Sequence, residues 1–349
     1  MRILHAPVNV AGIGGFLSSY QRSQGYVSDF MVFKDENPFC KNHDYCLHLD
    51  RLTGKQKKIA LWRNFFYCLF NYEIFHFYFG ITLLPNSFDL RILRFFNKKI
   101  LMTCCGSDFR LIEVERKRNP YAYLLTIELN DPRYDERKKK LLRYQSRWVH
   151  CFLAPRNLYA SVSSIVKPEQ INSELWIHNL SFDSSCIVSE ADISTRKIPV
   201  IVHLPSKRKI KGSDYVQNAI NNIKATGVKF EYREITGVSH DAALKIIRES
   251  DIVIDQMLLG GIGSTAFEAM GFGKPVVSYI IEEVRKEFYP DCPVFNANID
   301  NLSERLVSII VNPKLRVQLG KQGVRFVRNN LDKKKINDGM ISIYQELMK

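Results

Sequence analysis

Residues 251–279 read DIVIDQMLLGGIGSTAFEAMGFGKPVVSY. A short apolar run comes first, then a glycine-rich loop, a compact helical segment and a second apolar run. A helix between two buried strands joins them in parallel, because a hairpin cannot. A chain built on this unit is committed to a parallel α/β sheet with helices covering its faces.

The same alternation runs through the rest of the chain. RILHA (2–6) is a strand, NVAGIGG a loop, FLSSYQRSQG a helix closed by Gly25, and VSDFMVF a second strand. Residues 55–71 are helical, basic at the start and aromatic at the end. EIFHFYF (73–79), KKILMTCC (98–105), WVHCFLAP (148–155) and ELWIHNL (174–180) read as strands. Residues 110–147 are polar and rich in Arg and Lys, broken at Asn119-Pro120 and at Asn130-Asp131-Pro132. A polar stretch, 184–197, reads as a linker. Beyond it, strands IPVIVHLP (198–205) and KFEYREI (229–235) alternate with helices over 211–227 and 240–250, the latter capped by Ser239. Residues 301–311, 313–329 and 333–348 close the chain as helices.

With 349 residues the chain exceeds one core. The pattern predicts two doubly wound domains facing across a cleft: residues 1–183, and residues 198–330. The last helix, 331–349, would pack back on the first domain. Ligands in such sheets bind beyond the carboxyl ends of the strands.

The formal net charge is +14, which favours an anionic partner: nucleic acid, a membrane surface or a phosphorylated small molecule. No nucleic-acid module is recognisable, so nucleic acid is not an expected partner. None of the eight cysteines forms a CxxC pair, and their spacing suggests no metal site, so reduced thiols in the cytoplasm are expected. No uncharged apolar run is long enough to span a bilayer. The basic-aromatic segment 55–71 either covers the first sheet with its aromatics as core or rests on an anionic membrane surface. The basic run 133–147 has the same two readings.

Three stretches carry chemistry. In the first, Gly260, Gly261 and Gly263 precede a helix starting near Ser264, and Glu268 lies a turn further on. Open amides and the helix dipole suit a phosphate, and a carboxylate there can hold a vicinal diol such as ribose. A glycine turn that merely lets a helix pack on its strand reads the same way. In the second, HLPSKRKIKGSDYV (203–216), a basic loop with Arg208 and Lys211 follows a strand, suited to a leaving diphosphate or simply solvated. In the third, NVAGIGG (9–15), no G-x-G-x-x-G is complete, which disfavours NAD.

Together these stretches resemble retaining glycosyltransferases of the GT-B architecture, most closely the bacterial family-four group that builds cell-surface glycans. EAMGFGKPVV is the most specific element; RILHAPVNVAGIGG, FHFYFG, GSDFR and IHNLSFD extend the likeness over nearly the whole chain. The resemblance implies transfer of a sugar from a nucleotide-sugar donor, UDP- or GDP-linked, to a glycan or lipid-linked acceptor, with retention and without a metal or other cofactor. It places donor nucleotide on the second domain, at Glu268 (ribose), Gly263, Ser264 and Thr265 (diphosphate amides), and Arg208 and Lys211 (diphosphate charge). It places Gly14 and Gly15 beside donor and acceptor, and His76 and Asp108 on the sugar and acceptor side. The enzyme would be cytoplasmic, with contact to the inner membrane face as an option.

One departure stands out. The first acid of the E-x7-E motif falls at residue 260, a glycine here. That leaves a catalytically inactive binding relative as one alternative and a nucleotide-sugar 2-epimerase of the same architecture as another.

Overall fold

A computed structural model describes residues 1–35, 42–125, 132–175, 177, 187–190, 193 and 196–349. The chain forms two compact units. Unit 1 comprises Met1–Leu111, Pro132–Ser181 and Lys333–Lys349; unit 2 comprises Ile112–Asp131 and Phe182–Asp332. Residues 112–131, which the sequence reading put in the first domain, cluster with unit 2. There Asn119 donates from Nδ2 to the carbonyl of Leu258, and Tyr121 donates to Asp300.

Unit 1 holds strands β1 (Arg2–Ala6), β2 (Val27–Val32), β3 (Tyr45–Cys46), β4 (Ile74–Tyr78), β5 (Lys99–Thr103), β6 (Cys151–Leu153) and β7 (Ile171–Asn172). They form a seven-stranded sheet in the order β3-β2-β1-β4-β5-β6-β7, with every neighbouring pair parallel. The central strand β4, IFHFY, is buried along its whole length, as a strand covered on both faces must be. The helices are α1 (Ile13–Ser23), α2 (Gly54–Asn71) and α3 (Asp89–Phe95), with α5 (Pro132–Gln145), α6 (Tyr159–Ser163) and α14 (Lys333–Met348) following α4 of unit 2 in chain order. One face of the sheet packs against Phe65, Cys68, Leu69, Leu90 and Leu93 of α2 and α3. The other packs against Ile13 and Leu17 of α1 and Ile336, Met340 and Tyr344 of α14.

Unit 2 holds α4 (Ile112–Arg118), β8 (Val200–His203), α7 (Arg208–Lys211), α8 (Ser213–Ala225), β9 (Glu231–Glu234), α9 (His240–Glu249), β10 (Ile252–Ile254), α10 (Ser264–Gly271), β11 (Val276–Ser278), α11 (Glu282–Phe288), β12 (Phe295–Asn296), α12 (Leu302–Ile310) and α13 (Pro313–Asn330). Its five strands are parallel, in the order β12-β11-β10-β8-β9. Ser239 caps α9 by accepting from the amide of Ala242.

Each sheet reverses its winding at one point: between β1 and β4 in unit 1, and between β8 and β10 in unit 2. The loops that leave the carboxyl ends of the strands at such a point diverge, and the crevice between them is where these sheets bind ligands.

Of the strand expected over 174–180, Glu174, Leu175 and Ile177 are described and belong to no strand, while the other four residues, like half of the expected linker 184–197, lie outside the described residues. The helix expected over 55–71 forms, but its aromatics divide. Phe65 is core, while Trp62, Phe66, Tyr67 and Phe70 are exposed. Among the described residues no helix is long and apolar enough to cross a membrane.

Candidate functional site

In unit 2 the winding reverses between β8 and β10, and five of the predicted residues gather there. β10 ends at Ile254, and the next residue, Asp255, is buried. Its carboxylate takes two partners. Oδ1 lies 2.6 Å from Nζ of Lys211, and Oδ2 accepts the amide hydrogen of Gly263 at 2.7 Å. A Cβ added to Gly263 would stand 2.9 Å from Lys211 Nζ, so the ammonium lies against the residue that precedes α10. No side chain caps α10, and the first two residues of the helix, Ser264 and Thr265, are accessible. The first amides of a helix have no acceptor within it and carry the positive end of its dipole. Lysine and open amides therefore sit together, on either side of one buried carboxylate.

Lys211 reaches this place by backbone geometry. It ends α7, and Gly212 follows with φ +75°, a conformation that favours glycine. The turn packs on the β10 loop, where the amide of Met257 donates to the Lys211 carbonyl, and a Cβ on Gly212 would press on Leu258 at 3.0 Å. Below it His203, at the tip of β8, donates from Nδ1 to the Ile254 carbonyl and accepts the Ser213 hydroxyl at Nε2. Burial pushes this imidazole down to about 4, so it stays neutral.

Glu268 lies one turn into α10, with its side chain largely buried, and accepts a hydrogen bond from His240 Nε2 at 2.7 Å. That bond raises the His240 pKa above its ordinary value, since Glu268 favours the charged ring. Arg208 is engaged by two acids, Glu234 and Asp214. Lys211, Gly263, Ser264, Thr265 and Glu268 are thus brought onto one helix end, and Arg208 is held aside by its carboxylate partners.

Two contributors were not assigned by the sequence reading. Asp255 closes an apolar strand, a position that reads equally as structural or as facing the cleft. His240 opens α9, and nothing in the spacing links it to Glu268 28 residues later. The only available signal was that both α9 and α10 flank β10.

Gly260 also has a physical account. Its φ is +67°, and a Cβ there would meet Ile281 Cδ1 at 2.5 Å. The space a longer side chain needs is filled by Ile281, whose amide also donates to the Gly260 carbonyl.

The residues predicted in unit 1 have other jobs. His76 is fully buried in β4, with Nδ1 2.6 Å from the Tyr344 hydroxyl and Nε2 2.7 Å from the Thr103 hydroxyl. Both nitrogens are used, and burial lowers its pKa well below the ordinary value. It is a core histidine that pins α14 to the sheet. Asp108 caps a turn by accepting from the amides of Cys105 and Gly106. Gly14 and Gly15 lie inside α1, where a Cβ would clash with Phe30 at 2.7 Å and Asn42 at 2.2 Å. They permit close packing of the helix.

A cavity of about 580 Å³ opens at the carboxyl ends of β2 and β4 in unit 1. Lys34, Asp50, Lys57, Leu61, Thr82 and Asn86 are among its lining residues.

Residues 203–326 match the family of glycosyl transferases group 1, and this span holds Lys211, Asp255, Gly263 and Glu268. The protein is a glycosyltransferase. No curated protein matches the sequence. Solved structures are similar over the whole chain. Sucrose-phosphate synthase from Thermosynechococcus elongatus superposes with TM-score 0.69 at 13% identity, covering 100% of this chain and 99% of its own. HepE from Anabaena, in complex with UDP-glucose, gives 0.63 at 12%, covering 99% and 100%. WaaG, a glycosyltransferase involved in lipopolysaccharide biosynthesis, gives 0.61 at 12%, covering 97% and 99%. At such identities the likeness establishes the fold, which for this glycosyltransferase is GT-B.

Proposed function

We propose that this glycosyltransferase moves a sugar from a UDP- or GDP-linked donor to a glycan or lipid-linked acceptor in the building of bacterial surface polysaccharide. In this reading transfer proceeds with retention and needs no metal. The bond from the donor's anomeric carbon to the diphosphate breaks, a bond to the acceptor hydroxyl forms on the same face, and the hydroxyl proton leaves with the diphosphate.

The observation that carries the reading is Lys211 Nζ held 2.6 Å from Asp255 at the uncapped start of α10. An ammonium has three donors, and Asp255 uses one. The other two, with the Ser264 and Thr265 amides, are available to a diphosphate. The charge growing on that leaving group then meets a fixed cation and a helix end, the role a metal plays elsewhere. Asp255 aims the lysine without touching the donor. Glu268 is placed to take the ribose hydroxyls, and His240 orients it. The cavity at the ends of β2 and β4 is the reading's acceptor site.

The test is turnover with UDP- and GDP-sugars. Lys211→Ala should lower kcat by about a hundredfold or more, the cost of one transition-state charge partner. A chelator should leave the wild-type rate unchanged, and the product should keep the donor's anomeric configuration. A wild-type rate in Lys211→Ala, or epimerised free sugar as the product, would overturn it.

A further inference from the structure

The α2 sequence is apolar on two faces. Leu61, Phe65, Cys68 and Leu69 face the sheet and are buried. Ile59, Trp62, Phe66, Tyr67 and Phe70, spaced at the helical repeat, form a second stripe that is exposed. Trp62 is 40% exposed and Phe70 65%. The stripe continues onto α3. Trp62 meets Phe88 edge-on, and Phe70 meets Phe96, which in turn meets Phe95, itself 84% exposed. Residue 62 pairs with 88 and residue 70 with 96, so both contacts are eight residues apart on each chain segment. The two helices therefore run side by side in the same direction, and the aromatic face is about 12 Å long at 1.5 Å per residue. A contiguous aromatic patch of this kind marks an interaction surface.

The charge around the patch chooses its occupant. α2 contains Lys55, Lys57, Lys58 and Arg63 and no acid. α3 adds exposed Arg91 and Arg94, and its one acid, Asp89, is turned inward to Thr82 and the Leu83 amide. A second copy packed on this face would set these cations against themselves. An anionic headgroup layer accepts both features, since apolar rings enter the acyl boundary while Lys and Arg stay with the phosphates.

We propose that the α2–α3 face docks unit 1 onto an anionic phospholipid bilayer. Lys57 and Leu61 of α2 also line the cavity at the ends of β2 and β4, so docking would hold that cavity beside the membrane. The proposal stands apart from the donor chemistry of unit 2.

Sedimentation with vesicles tests it. The full chain should pellet with vesicles that mix phosphatidylglycerol and phosphatidylcholine and stay largely in solution with phosphatidylcholine alone. The combined Trp62→Ser, Phe66→Ser, Phe70→Ser variant should lose about tenfold or more in partitioning, because three apolar side chains no longer enter the bilayer. Lys55→Glu, Lys58→Glu, Arg63→Glu should lose binding to mixed vesicles while keeping its melting temperature. That second variant decides the matter if the first misfolds. UDP or GDP affinity should be unchanged in both, which separates this result from a failure of the donor site. Equal partitioning of wild type and variants, or a wild type that ignores mixed vesicles, overturns the proposal. So does a dimer in light scattering that the serine variant splits without any vesicle binding, which would assign the face to a second copy.

Discussion

Asp255 is the residue on which the proposed donor site turns. It satisfies a lysine and a backbone amide at once, so its loss leaves both short of a partner. Asp255→Ala should cost about 2–3 kcal/mol of stability in a denaturant titration, the cost of breaking a buried pair whose cation keeps some solvent. It should also lower kcat, because Lys211 is no longer aimed. Gly260→Glu, which rewrites the missing acid of E-x7-E, should not raise activity. The left-handed backbone and Ile281 oppose it, and destabilisation of about 2–4 kcal/mol is expected from strain and overpacking. Adding Ile281→Ala should recover part of that loss in a thermal melt. The pair His240–Glu268 gives a pH signature. The folded pKa of His240 is raised, so its contribution is complete below 6.5 and fades as pH rises through the higher folded value. His240→Ala should therefore lose more stability in mild acid than above neutrality, by under about 1 kcal/mol, since the ring is half-exposed.

At the scale of elements, strand identity was legible and strand content was not always. The runs RILHA, EIFHFYF and KKILMTCC became β1, β4 and β5 because parallel central strands must be apolar on both sides. The same apolarity concealed what His76 does. A histidine in such a run reads as a ligand or as core, and only the fold shows Tyr344 reaching it from 268 residues away. The glycines of α1 were misread for a related reason, since a loop and a close helix contact both call for glycine. Buried histidines also set the acid limit of the fold. Burial lowers His5 and His203 to about 4, and lowers His76 as well. The unfolded chain binds these protons near 6.5 and the folded chain does not, so stability rises with pH across that window and is lost as pH falls through it. Asp89, raised to about 6 by burial, and Asp108, also raised by burial, oppose this in part. The urea midpoint should drop between pH 6.5 and about 4, and less so in His5→Asn. A flat midpoint across that range would contradict the burial argument.

Across the whole molecule, the alternation of strands and helices conveyed two wound sheets, and the motif near residue 260 falls in unit 2, within the span that matches the family. The assignment of 112–131 to unit 2 was not legible, because it rests on single contacts such as Asn119 to Leu258 that no periodicity announces. The last helix is integral to unit 1, where Ile336, Met340 and Tyr344 share a core with β1, β4 and β5. Ending the chain at Asp332 should remove about 5 kcal/mol or more of burial, on the order of a domain's whole stability, and give an insoluble product. The account as a whole rests on diphosphate binding at the start of α10. Calorimetry of UDP and GDP against wild type and Lys211→Ala tests that most directly. One of the two nucleotides should bind wild type, and the variant should bind it about tenfold or more weaker, as loss of a charge-assisted contact requires. Equal affinity in the two proteins, or no binding of either nucleotide to wild type, would contradict it.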